Sequence, residues 1–203
     1  NPERIDIHDP DDFLVLRHRL THVDRHRVDL AIKRRFDPEA IRVTPEGTLL
    51  ISEEYGPSIR EFDLNGVCKQ TFSLPAGFTI AHPGNSPDDE FPPHNLRGRQ
   101  PNRGLEGLAL TPDGKHMVAL MQGPLLQDGA LDADNQRIGR LVRLLVIDRQ
   151  TGQTTQFAYL LESAAYGLNE IEALGNQQCL VIERDGKVGK KAAFKRIARI
   201  DLT

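Results

Sequence analysis

Along residues 37–75 the apolar positions come in short runs with a period near two: Ile41 and Val43, then Leu49 and Ile51, then Ile59, Phe62 and Leu64. Between them stand Pro-Glu-Gly, Tyr-Gly-Pro and Asn-Gly. Short runs bounded by turn residues predict antiparallel strands joined by hairpins. Ala, Leu, Lys and Glu never line up into a long amphipathic helix, so the expected class is all-β.

The pattern repeats. The first copy is EAIRVTPEGTLLISEEYGPSIREFDLNG, from Glu39. The second is EGLALTPDGKHMVALMQGP, from Glu106, resuming as GRLVRLLVIDRQTG. The third is EIEALGNQQCLVIERDGK, from Glu170, resuming as KRIARIDL. Aligned on the leading Glu, each copy has an apolar residue four positions later: Val43, Leu110 and Leu174. Two copies share a Thr-Pro-acid-Gly turn, at 44–47 and 111–114, and third strands end at Phe62-Asp63, Ile147-Asp148 and Ile200-Asp201. The turns Asn65-Gly66 and Thr151-Gly152 lead into fourth strands near 67–74 and 153–161.

Four antiparallel strands per repeat make the blade of a β-propeller. The spacing of the leading glutamates exceeds the roughly 40–50 residues of common propeller repeats. Insertions at 75–103 and 123–139 account for the excess and read as long surface loops. The expected organisation is one domain over 1–203, with approximate blades at 1–36, 37–75, 104–163 and 164–203. The third repeat stops after its third strand, and propellers close with typically 4–8 blades. The expectation is therefore a partial propeller, belonging to a larger one.

Composition narrows the function. The chain has 203 residues, a net charge of -3 and 38% hydrophobic content, enough for one substantial core. Charges are evenly mixed, with no basic stripe interleaved with aromatics, which argues against nucleic acid as a partner. No apolar run approaches the roughly 18–20 residues of a membrane span. The polar start NPERIDIHDPDD is not a signal peptide and lacks an initiator Met, so a segment removed before it is expected. Cys68 and Cys179 are far apart in strand-like runs and read as free thiols. No Gly-x-Ser-x-Gly elbow, Walker loop or His-Glu-x-x-His occurs, so nothing points to a serine nucleophile.

The strings PEAIRVTPEGTLLISEEYGPSIREFD, PNRGLEGLALTPDGKHMVALMQGPL and KRIARIDL resemble bacterial proteins of the phytase-like family, described as having esterase-like activity of phytase. The likeness covers roughly 36–203. It implies a β-propeller exported to the periplasm or cell surface, and hydrolysis of a small-molecule phosphate ester. In propeller phytases, channel carboxylates hold calcium ions that bind the substrate phosphates and the attacking water.

The candidate site follows from placing the repeats around an axis. Glu39, Glu106 and Glu170 begin the first strands, which line a propeller's channel, and would converge as catalytic and metal-binding groups. Glu54, Gln122 and Glu183 end the second strands and form a further ring of oxygen donors. So many hard oxygen ligands suit Ca²⁺, which takes 6–8 of them. Alternatively, each Glu ties down backbone N–H groups or pairs with an Arg. Arg103 and Arg184 stand beside these acids, suited either to a substrate phosphate or to the glutamates themselves.

Other polar clusters carry less. His18, His22 and His26 recur every four residues, but flanking apolar residues alternate with period two, which sets them on a strand face among arginines. His82 and His94 lie in the first insertion, as solvated side chains or contacts of a lid. Two other functions stand beside phosphate-ester hydrolysis: a non-catalytic propeller that binds a protein or glycan, and a calcium-dependent lactonase.

Overall fold

The computed structural model describes residues 37–84 and 86–203. The blade expected over 1–36, with His18, His22 and His26, lies outside the described residues. The first sheet is built from β1 (Pro38–Val43), β2 (Leu49–Glu53), β3 (Ser58–Phe62) and β4 (Cys68–Phe72). The second comprises β5 (Leu105–Leu110), β6 (His116–Met121), β7 (Leu141–Asp148) and β8 (Thr154–Leu160). The third has β9 (Gly167–Ala173), β10 (Gln178–Arg184) and β11 (Lys195–Asp201). Each sheet is a meander of antiparallel neighbours in chain order. This is the partial β-propeller that the repeats imply. Only short 3-10 turns interrupt the strands, and no helix of the described residues is long and apolar enough to cross a membrane.

The hairpins follow from turn chemistry. Gly47 and Gly114 close the two Thr-Pro-acid-Gly turns at φ +80 and +70, where a side chain would be strained. Thr111 Oγ1 and Asp113 then satisfy the turn's donors: Lys115 N–H donates to Asp113 and His116 N–H to Thr111. The inner strands β1, β5 and β9 pack side by side. The largest core cluster joins all three sheets, with Leu50, Leu105, Leu108, Met117, Leu120, Leu144, Leu168, Ile171 and Val181 buried. Burying one such side chain is worth about 1.5–3 kcal/mol.

Each of the three described inner strands, β1, β5 and β9, carries a β-bulge at the same place. The register shifts between Pro38 and Ala40, and between Leu105 and Gly107. In the third sheet Glu183 pairs with Leu168 while Ile182 pairs with Glu170. The bulged residues are therefore Glu39, Glu106 and Asn169. Aligning the repeats on their leading Glu is thus one residue out of step in the third blade. Likewise Ala173 pairs with Cys179 as Leu110 pairs with Met117, so Ala173 and not Leu174 matches Leu110. The same correction applies to the second strands. Glu53, Met121 and Glu183 occupy one level, opposite Pro38, Leu105 and Leu168. Glu54, Gln122 and Arg184 occupy the next.

Candidate functional site

At the bulged end of the inner strands two levels of polar side chains meet. One level is Glu39, Glu106 and Asn169, the other Glu54, Gln122 and Arg184. A bulge re-aims the residue it contains, which is why these positions escape the alternation of their strands. The first blade contributes two acids, the second an acid and an amide, the third an amide and a base.

Acids concentrate on the first blade's side. Carboxylate oxygens of Asp37, Glu39 and Glu54 all lie within 4.8 Å of one another. Glu54 is buried and accepts a hydrogen bond from the Gly104 N–H at 3.3 Å. Burial first, then the charges of Glu106 and Asp37, push its carboxyl up to about 7. Glu106 is buried too, and its carboxyl is raised by burial. A hydrogen bond from Gln122 and the charges of Arg184 and Arg103 oppose that rise. Asp37, just before β1, escaped the sequence reading because it precedes the repeated Glu. The signal available was the string Asp37-Pro38-Glu39, an acid on each side of a proline.

Bases gather on the other side. Arg184 Nη2 lies 3.8 Å from Glu106 Oε1, and its Nε donates to Asn169 Oδ1. Arg103 is buried, and its Nη1 donates to the Tyr166 carbonyl at 2.9 Å. Burial, with Arg137 and Arg184 nearby, lowers its guanidinium to about 10. Behind the acids lies Arg99, fully buried and paired with Glu90 at 2.7 Å. Its Nε donates to the Tyr55 carbonyl, and its Nη2 has no partner.

Two predicted residues are engaged elsewhere. Glu170 pairs with Arg42 at 3.0 Å and accepts from its own neighbour, the Ile171 N–H. Arg42 also donates to the Ile171 carbonyl, tying β1 to β9. Glu183 is fully buried and accepts from Tyr159 Oη, the Glu162 N–H and Arg196 Nη2. Glu53 plays a similar part, capping the turn by accepting from the Tyr55 and Gly56 N–H groups.

The two insertions dock on one another beside this site. Gln127 bridges them, accepting from the Gly98 N–H and donating to the Gly77 carbonyl. In the first insertion Asn95 clasps His82, accepting its N–H and donating to its carbonyl. Cys68 and Cys179 are both free thiols, as expected.

A sequence model described as phytase-like, esterase-like activity of phytase, matches residues 4–203. The chain belongs to this phytase-like family. The phytase-like chain is 27% identical, over 187 residues, to an uncharacterized secreted protein of Arthroderma benhamiae. That alignment covers 78% of this chain and 36% of the fungal protein, so the chain spans about a third of that relative's length. Among solved structures it is similar to the β-propeller domain of Cps50 (Swd1) from Myceliophteria thermophila. That likeness has a TM-score of 0.41 and 11% identity, covering 82% of this chain and 40% of the other.

Proposed function

We propose that this phytase-like protein is an exported hydrolase of small-molecule phosphate esters, working with a calcium ion held by carboxylates at the propeller axis. The observation that carries the reading is the convergence of Asp37, Glu39 and Glu54 within 4.8 Å, with Glu106 close enough to raise Glu54. Crowded, partly desolvated carboxylates are costly unless a cation or a proton offsets them. The donor set fits the hard, oxygen-seeking Ca²⁺: three carboxylates, Glu106 beside them, and the amide oxygen of Gln122. Calcium bound there would neutralise the acids, orient a phosphate and make water a better nucleophile.

The chain's own residues divide the remaining work. Asp37, Glu39 and Glu54 form the metal-side wall, and Gln122 steadies Glu106 through a hydrogen bond. Glu106 is the candidate catalytic carboxylate, placed to take a proton from water. Arg184 and Arg103 face the other side and suit the charge of a phosphate ester, since guanidinium forks match phosphate oxygens. Glu170 and Glu183 are left out of this ligand set because Arg42 and Arg196 already engage them. Export to the periplasm or outside the cell is part of the reading. The family resemblance supports it, as does the word "secreted" in the name of the fungal relative.

The test is hydrolysis of a panel of phosphate monoesters with and without Ca²⁺, beside a lactone panel. Calcium-dependent release of phosphate that a chelator abolishes supports the proposal. Turnover that persists in excess chelator, or turnover of lactones alone, overturns it.

A further inference from the structure

Arg103 is held in a narrow slot. A Cβ on Gly123 would lie 3.1 Å from its Nη1, and one on Gly167 would lie 3.6 Å from it. Its charge is crowded by Arg137 and Arg184. The hydrogen bond holding its tip goes to a main-chain carbonyl, that of Tyr166. Tyr166 belongs to no strand: it ends a turn in which its N–H donates to the Ser163 carbonyl. Backbone bonds hold the turn on either side, at Tyr166 N–H and at Leu168 N–H, which donates to the Gln122 carbonyl, and the Tyr166 side chain supplies a further anchor between them.

That anchor is visible. The Tyr166 ring stacks on Phe194, with centroids 4.4 Å apart and planes 13° from parallel. Arg196 lies over the other ring at 5.5 Å from the Phe194 centroid. Phe194 is in turn clamped at its backbone. Its N–H and that of Ala193 donate to Asp185 Oδ2, and Lys195 pairs with the same carboxylate. The segment after β10 is thus linked, through one ring stack and one carbonyl, to a buried arginine of the second blade.

We propose that the Tyr166–Phe194 stack is the positioning device for Arg103, setting the guanidinium that receives the anionic group of the ligand. Tyr166 and Phe194 act through Arg103 and need not touch the ligand. The inference rests on the anion-binding part of the proposed function and not on its metal.

The test measures binding of inorganic phosphate by calorimetry to the full chain, with chelator present so that metal plays no part. The variants are Arg103→Ala, Phe194→Leu, Phe194→Tyr and the double Arg103→Ala/Phe194→Leu. Loss of a charge-assisted contact weakens binding by about tenfold or more. Phe194→Leu is expected to weaken phosphate binding about as much as Arg103→Ala, and Phe194→Tyr, which keeps the stack, to restore it. The double variant is expected to bind no more weakly than Arg103→Ala, because both changes remove the same contact. Wild-type binding by Phe194→Leu where Arg103→Ala is weakened, or losses that multiply in the double variant, overturn the positioning role and leave the arginine site standing. Wild-type binding by Arg103→Ala overturns the arginine site itself and this role with it. Should Phe194→Leu fail to fold, Phe194→Met keeps the bulk without the ring and takes its place.

Discussion

Arg184 reaches from the third blade to within 3.8 Å of the Glu106 carboxylate in the second. It stands at the level where the first two blades carry Glu54 and Gln122. The axis is therefore polarised, acidic toward the first blade and basic toward the third. A symmetric ring of acids would suit cations alone, whereas the proposed function calls for adjoining places for a cation and an anion.

Removing that base separates the two halves. Arg184→Gln is expected to weaken phosphate binding by about 1.5–3 kcal/mol. It is also expected to raise the Glu106 carboxyl further, since Arg184 is one of the charges opposing its rise. Calorimetry with phosphate and NMR titration of the labelled glutamates check the two effects.

Glu54 makes stability depend on pH. Its carboxyl is raised from 4.5 to about 7 in the fold, so between these values the native state holds more proton than the unfolded chain. The stability of metal-free protein is then highest near and below pH 4.5, as far as this group is concerned. It falls as pH rises through about 7, by up to about 3 kcal/mol. Thermal melts of chelated protein are expected to show a declining Tm over that window, and Glu54→Gln to flatten the decline. Added Ca²⁺ is expected to restore stability at pH 8 in the wild type and not in Glu54→Gln, with proton release on binding near neutral pH.

Glu183 and Glu54 are expected to fail in opposite ways. Glu183→Ala strips partners from Tyr159, the Glu162 N–H and Arg196. Leaving the Tyr159 hydroxyl without its buried acceptor costs about 1–3 kcal/mol, while the partly exposed Arg196 turns to water. Urea unfolding is expected to show that loss, with Ca²⁺ affinity retained under conditions where the variant is folded. Glu54→Gln is expected to lose Ca²⁺ affinity while unfolding at no lower urea concentration than the wild type at pH 8.

Gly104 is expected to tolerate no side chain. A Cβ there would run into the carbonyl of Glu54 across the blade junction. Gly104→Ala is expected to cost about 1–3 kcal/mol in urea unfolding and to weaken Ca²⁺ binding by displacing Glu54. Gly175→Ala, where a Cβ meets nothing within 4 Å, serves as the control and is expected to stay within about 0.5 kcal/mol of wild type.

Most of the fold could be read from the chain before any coordinate. Period-two runs and Asn-Gly or Thr-Pro-acid-Gly turns are local signals, and the strands appear where they place them. The fourth strands expected near 67–74 and 153–161 are Cys68–Phe72 and Thr154–Leu160. Arg103, Glu106 and Glu54 were legible as well, because charged residues in or beside apolar strands stand out against the burial cost they incur. The third repeat differs from its sequence alignment because the string Glu170-Ile171-Glu172 offers an acid at the wrong register. The Gly-Leu pairs at 104–105 and 167–168 were the better guide, since they precede both bulges.

By itself, the sequence determined the strands, their turns, the blade repeat and the presence of acids and arginines near the starts of the inner strands. Those are consequences of local periodicity and backbone preference. Only the tertiary structure decided which of those charges meet. A bulge shifts facing by one residue without altering composition, so Asn169 and not Glu170 is the counterpart of Glu106. Packing of three blades then gave Glu170 to Arg42 and Glu183 to Arg196, brought Asp37 to Glu54, and set Arg184 against Glu106. Partners so far apart in the chain are chosen by distance in space, which no spacing along the sequence encodes.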